Sequence, residues 1–284
     1  MSRRIRSGVL ATAIGLAGAG CDSEPPPVVA AKKIEEQKVV VPELKPPIKP
    51  AQSDESAAQL LKESLAAHTG GHPERLDKLK NCSFARSGVV NMSNGVFPAL
   101  WKMDLIWPDR YRMHAEIQMG ATVTRTFARS PAGAWQYPPD NPQDKLEKQP
   151  LDAEAARTLT AQFQEDCVGL LFPLADPATV TVRATDETLA GKEVIGLHVW
   201  TPALDYVLVS IDKKSKLLTR IVYNGREARM NMVKEVVVTE HQEFDGVKLA
   251  SKMYVKANGR NLADWHKLTI TTDKPVDPKV FDAP

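Results

Sequence analysis

The run Trp101-Lys102-Met103-Asp104-Leu105-Ile106-Trp107-Pro108-Asp109-Arg110-Tyr111-Arg112-Met113-His114-Ala115-Glu116-Ile117 alternates apolar and polar residues on both sides of a Pro-Asp break. Successive side chains of a strand point to opposite faces, so this spacing gives two strands with one greasy and one wet face. Pro108-Asp109 supplies the turn between them. Val123 and Phe127 continue the alternation after Gly120, among Thr122, Thr124 and Thr126. Short strands joined by tight turns read as an antiparallel meander beginning near Cys82.

Further along, the same period recurs. Strands are expected over Val180 to Thr185, Glu193 to Thr201, Tyr206 to Ile211, Leu217 to Tyr223, Asn231 to His241, Lys248 to Lys256 and Trp265 to Thr272. Turns are expected at Leu189-Ala190-Gly191, Asp212-Lys213-Lys214-Ser215, Asn224-Gly225, Asp245-Gly246 and Asn258-Gly259. Between the two meanders, residues 138 to 150 are polar and proline-rich, which predicts a loop. A helix then starts near Asp152, with Ala155, Leu159, Phe163 and Val168 on one face, and runs into Leu170-Leu171-Phe172-Pro173. Ahead of the first meander, Ala57, Leu60, Leu61 and Leu65 predict a helix capped by Ser53 and ended by Gly70-Gly71. A second, short helix follows Pro73, with Leu76 and Leu79 on one face. Neither meander covers its own apolar face, so both share one core.

The N-terminus has a different chemistry. Arg3, Arg4 and Arg6 precede a short apolar run, Val9 to Ala19, and then Cys21. The run is too short to span a bilayer and reads as a secretory signal, residues 1–20. Leu16-Ala17-Gly18-Ala19-Gly20-Cys21 resembles a bacterial lipobox, departing from it at Gly18. Lipid on Cys21 would hold the chain on a membrane; a plain signal peptide cut near Ala19 or Gly20 is the alternative. Residues 21–56 carry Pro25-Pro26-Pro27, Pro42, Pro46-Pro47 and Pro50. Such a tether stays extended, reaching on the order of 100 Å at about 3.1 Å per residue. The folded unit is expected over 57–284.

The chain has 284 residues, 43% hydrophobic and 25% charged, with formal net charge +2. Acids and bases alternate beyond the first six residues, so no basic face for nucleic acid forms. Two cysteines remain after Cys21. In an exported protein Cys82 and Cys167 can pair as a disulfide or stay as two buried thiols; their spacing does not choose. His68 and His72 are four apart, but Gly70-Gly71 between them breaks the helix, so no metal site is expected. His114, His198, His241 and His266 read as strand residues. No nucleophile elbow or phosphate loop occurs, no catalytic residues and no cofactor are expected, and the chain reads as a non-enzyme.

Several segments together resemble a known family. They are Val209-Ser210-Ile211-Asp212-Lys213 before Leu217-Leu218-Thr219-Arg220, then Glu243-Phe244-Asp245-Gly246-Val247-Lys248-Leu249, then the closing Asp277-Pro278-Lys279-Val280-Phe281. In this order they resemble the periplasmic lipoprotein-carrier superfamily, the LolA/LolB-like and outer-membrane lipoprotein-sorting proteins, over roughly 57 to 284. The resemblance implies an α+β, mainly antiparallel fold of about eleven strands in an incomplete barrel, with helices plugging its concave face. It also implies an apolar cavity for acyl chains.

The residues expected to line that cavity are Trp101, Met103, Leu105, Trp107, Tyr111, Met113, Phe127 and Trp135 from the strands, faced by Phe163, Leu170, Leu171 and Phe172. For each of these, plain core packing is the competing assignment. Flexible Met and broad aromatic side chains suit an adaptable apolar pocket. The function expected is a monomeric lipoprotein of the periplasm and cell envelope that binds acyl chains of lipids or lipoproteins. A permanent anchor suits a receptor better than a soluble shuttle. The alternative is a structural or sensing lipoprotein that binds a protein partner and has no lipid cavity.

Overall fold

The computed structural model describes residues 44–137, 147–202, 204–227 and 230–282. The expected signal sequence, Cys21 and the first part of the expected tether lie outside the described residues. Among the described residues, fourteen strands form one antiparallel sheet. The first group is β1 (Asn81–Met92), β2 (Gly95–Ile106), β3 (Arg110–Met119), β4 (Ala121–Ser130), β5 (Gly133–Gln136) and β6 (Gln149–Pro150). The second is β7 (Val180–Arg183), β8 (Glu187–Leu189), β9 (Lys192–Trp200), β10 (Val207–Asp212), β11 (Leu218–Glu227), β12 (Met230–Phe244), β13 (Val247–Ala257) and β14 (Arg260–Thr271). The order across the sheet is β6-β5-β4-β3-β2-β1-β14-β13-β12-β11-β10-β9-β7, with β8 on β9. The two meanders join where β1 pairs with β14, the chain's most distant long strands in sequence. The sheet does not close, and β6 and β7 remain its edges.

Fourteen strands exceed the expected eleven. The surplus lies in pieces such as β5, β6 and β8, two to four residues long. Fragments that short show no periodicity and exist because a long neighbour offers its edge. A second correction concerns Asn224-Gly225, expected as a turn. Both residues lie inside β11, opposite Val233 and Met232. The Asn224 amide donates to the Leu44 carbonyl at 2.8 Å, a partner from the start of the described chain that no local reading supplies. The other expected turns stand at Gly191, Gly246 and Gly259, each with positive φ.

Among the described residues, three α-helices complete the fold, α1 (Glu55–Thr69), α2 (Arg75–Leu79) and α3 (Ala153–Val168), with one 3-10 helix at Pro278–Phe281. Asp54, and not Ser53, caps α1 through its carboxylate on the Ser56 N–H. Ser53 is used elsewhere, accepting from the Thr181 N–H, which ties the segment ahead of α1 to β7. Gly70 ends α1 in the left-handed conformation at φ 63°. Asp152 caps α3, accepting from the N–H groups of Glu154 and Ala155. None of the helices among the described residues is long and apolar enough to cross a membrane.

The position of α3 fixes the shape of the sheet. It touches β4 and β5 on one side and β11 on the other. β4 and β11 stand seven places apart in the sheet order. At about 4.8 Å per strand a flat sheet would hold them roughly 30 Å apart, beyond the reach of a helix about 10–12 Å wide. The sheet therefore bends around α3. Leu159, Phe163 and Cys167 recur every fourth residue along α3 and are fully buried against the sheet. Gln162 and Asp166 occupy the neighbouring stripe.

The join of β1 with β14 demands a glycine. Its register shifts between Ser87 and Gly88, and a Cβ on Gly88 would stand 2.0 Å from the Asp264 carbonyl oxygen. That contact is backbone on backbone, so no rotamer change relieves it. Gly88→Ala is expected to cost about 2–3 kcal/mol, read as a lower urea midpoint. An unchanged midpoint would show that the bulge relaxes freely.

Candidate functional site

One face of the sheet carries an apolar row that crosses five strands. Ile221 on β11 stands opposite Val236 on β12, Val236 opposite Val255 on β13, Val255 opposite Ala263 on β14, and Ala263 opposite Val90 on β1. Beside this row, Trp265 pairs with Met253, and the rings of Trp101 and Trp265 pack 4.9 Å apart. These residues do not fill the space under α3. A cavity of about 300 Å³ remains, walled by the row, by Trp101, Met113 and Ile117, and by Gln162 and Asp166 of α3. That volume sits at the small end of ligand pockets, roughly 300–1,000 Å³. Hydrocarbon inserted here loses water at about 25 cal/mol per Å² and needs no polar contact.

The polar part of the wall is concentrated on one pair. Arg86, 6% exposed, projects from β1, and its guanidinium lies 3.5 Å from the Asp166 carboxylate. Tyr111 donates its hydroxyl to the same carboxylate at 3.1 Å. Burial raises the Asp166 carboxyl pKa, and the Arg86 charge and the Tyr111 hydrogen bond pull it back. Burial likewise pushes the Tyr111 hydroxyl well up. The pair thus fixes α3 to β1 and β3 across the cavity floor. Lys234 also lines the wall and is buried.

Of the expected lining residues, Trp101 and Met113 face this cavity. Met103, Leu105, Tyr111, Phe163, Leu170, Leu171 and Phe172 are packed in the main core, 0–4% exposed. Trp107 and Phe127 pack against that core, with Trp107 touching the rings of Phe163 and Phe172. Trp135 is buried apart from the cavity, donating its indole N–H to the Phe281 carbonyl at 3.1 Å. Leu171 holds a left-handed backbone at φ 71°, and Leu170, Leu171 and Phe172 are all buried around it. The stripe of α3 that carries Leu159, Phe163 and Cys167 is thus packed solid, and the cavity opens beside its Gln162 and Asp166 stripe, toward β11–β14. The wall residues missed by sequence reasoning lie mainly in the second meander, from Ile221 to Trp265, with Arg86, Val90 and Ile117 from the first and Gln162 and Asp166 from α3. Their signal was the same alternation, as in Val236-x-Val238, Met253-x-Val255 and Ala263-x-Trp265.

Cys82 and Cys167 are free, buried thiols in this structure. Burial pushes the Cys82 thiol up to about 12 and raises that of Cys167 as well, so neither supplies a thiolate at neutral pH. No metal-ligating group of three or more His, Cys, Asp or Glu exists among the described residues. A larger groove of about 570 Å³ crosses the opposite face of the sheet. Its polar side chains satisfy one another: Arg112 forks onto Asp104, Ser83 donates to Asp104, and His114 bonds Thr126. Among the described residues, none of its buried polar side-chain atoms lacks a hydrogen-bond partner.

Comparison with known proteins adds the fold. No protein-family model matches the chain, and no curated protein matches it. Several solved structures are similar, among them the following three. A DUF1329 family protein from Desulfovibrio piger has 12% identity and a TM-score of 0.50, covering 81% of this chain and 98% of its own. A LolA superfamily protein from Nitrosomonas europaea has 9% identity and 0.49, covering 80% and 97%. A domain described as an outer membrane lipoprotein-sorting protein, from Vibrio parahaemolyticus, has 13% and 0.48, covering 80% and 97%. The first of these likenesses establishes a shared fold, and at this identity only the fold.

Proposed function

We propose that this chain is a non-enzymatic carrier or receptor of the cell envelope that holds an acyl chain of a lipid or lipoprotein between the bent sheet and α3. One observation carries the reading: a cavity of about 300 Å³ with an unbroken apolar row along its wall, in a sheet that does not close. In this reading α3 acts as the plug of a half-open barrel, and the domain works as a monomer. Lipid on Cys21 would anchor it, and the proline-rich tether would hold the cavity clear of the membrane surface. The fold likeness and the resemblance to the lipoprotein carriers support the same reading.

Two measurements test it. Native mass spectrometry of the chain purified from bacteria is expected to show a co-purifying acyl lipid. Ala263→Phe, which places a ring into the cavity, is expected to weaken binding of a fluorescent fatty acid by at least about tenfold, or 1.4 kcal/mol. Its unfolding midpoint should move little, because the ring enters open space. A lipid-free protein whose wild-type and Ala263→Phe forms both ignore the probe would turn the assignment toward an envelope lipoprotein that docks a protein partner. For the anchor, labelled palmitate should enter the wild type in cells and not Cys21→Ala; equal labelling removes Cys21 as the attachment point.

A further inference from the structure

Buried N–H groups in native proteins are almost always paired. Four side-chain N–H groups among the described residues are buried without a hydrogen bond: Arg86 Nε, Asn91 Nδ2, Trp101 Nε1 and Arg220 Nε. Arg220 lies 2.6 Å from the Glu235 carboxylate, so its charge is answered. The residues that carry the other three all line the cavity under α3, with the N–H groups themselves buried in its wall. Arg86 and Trp101 are direct cross-strand partners on β1 and β2, which puts their side chains side by side on the same face. Asn91 stands five residues further along β1, toward the hairpin tip.

A pair of adjacent unmet donors in an apolar cavity has a definite chemical meaning. Leaving each unpaired is costly, and none of the described residues accepts a hydrogen bond from either. A hydrocarbon tail provides no acceptor. The missing partner therefore carries oxygen. Arg86 also brings a guanidinium to the wall, beside the Asp166 carboxylate. We infer that the cavity recognises the carbonyl end of its ligand: a fatty-acid carboxylate or an acyl ester whose oxygens accept hydrogen bonds from Arg86 Nε and Trp101 Nε1. The hydrocarbon then lies along Ile221, Val236 and Val255. This rests on the acyl-binding reading above and adds head-group selection to it.

The test compares ligands of one chain length: laurate, methyl laurate and dodecane, each displacing a fluorescent fatty acid from the purified full chain. Laurate and methyl laurate should bind at least about tenfold more tightly than dodecane, the value of one good hydrogen bond. Laurate ahead of methyl laurate identifies a carboxylate as the preferred head; the reverse order identifies an ester. Trp101→Phe keeps an aromatic ring and removes only the donor. Arg86→Lys keeps the charge beside Asp166 and removes Nε. Each should shrink the laurate-to-dodecane ratio by about threefold or more, with circular dichroism unchanged. Equal affinity for all three ligands, or ratios unmoved in both variants, overturns the head-group inference while leaving acyl binding intact. Failure of all three to displace the probe instead removes the acyl-binding reading itself.

Discussion

Asp166→Ala is expected to destabilise the fold by about 3–5 kcal/mol, among the largest losses available to a single substitution here. The reason is the charge it abandons. The Arg86 side chain is 7% exposed, and the Asp166 carboxylate is its one ion-pair partner among the described contacts. A buried guanidinium without a counter-charge pays its desolvation in full, and the Tyr111 hydroxyl loses its acceptor in the same step. Asp166→Asn separates these costs. It keeps an oxygen for Tyr111 and removes the charge, so its loss should be smaller than that of Asp166→Ala. Equal unfolding midpoints for wild type and Asp166→Ala in urea would show that the pair is solvated and holds nothing together.

Acidification is expected to remove about 3 kcal/mol through one residue, His68. Its side chain is 2% exposed at the end of α1. One ring nitrogen, Nδ1, donates to the Lys248 carbonyl at 2.5 Å, and the other, Nε2, accepts from the Leu218 N–H at 2.9 Å. That arrangement requires the neutral ring, and burial lowers the pKa from 6.5 to about 4. Between these values the unfolded chain holds a proton on His68 that the folded chain does not. Stability from this residue is therefore complete above about pH 6.5 and is lost as pH falls toward 4. His241, whose ring stands 5.6 Å away, is shifted down by burial and works in the same direction. Asp166 works oppositely, because its carboxyl is shifted up. The difference between wild type and His68→Gln isolates the effect. His68→Gln should be less stable at neutral pH and flatter between pH 6.5 and 4; parallel profiles would exclude His68 as the source.

The alternation around Trp101 and Tyr111 exposed the fold because a half-buried strand writes its two faces directly into the sequence. The helix caps at Asp152 and Gly70 were equally legible, since each works through neighbouring backbone. What stayed hidden depended on distant partners. The β1–β14 junction, the bulge at Gly88 and the Asn224 contact with Leu44 join residues more than a hundred positions apart. The candidate site was legible only in part, for a similar reason. Aromatic side chains on the first meander drew attention to Tyr111, Phe163 and Phe172, yet large rings fill space well and make the solid part of the core. The cavity is walled by smaller residues, Val236, Val255 and Ala263, whose modest bulk is what leaves room. Their inward parity was readable; the bend of the sheet that brings them under α3 was not. Arg86, buried and charged, carried no local signal at all.

The central claim is that an acyl chain lies between α3 and the row Ile221, Val236, Val255 and Ala263. A crystal structure of the protein with a fatty acid brominated at its terminal carbon tests it directly, because the bromine marks its own position by anomalous scattering. The account predicts a single strong bromine peak beside Val236 and Val255, beneath Gln162. No peak in that cavity at saturating ligand, or a peak only in the polar groove by Asp104 and Arg112, would contradict it.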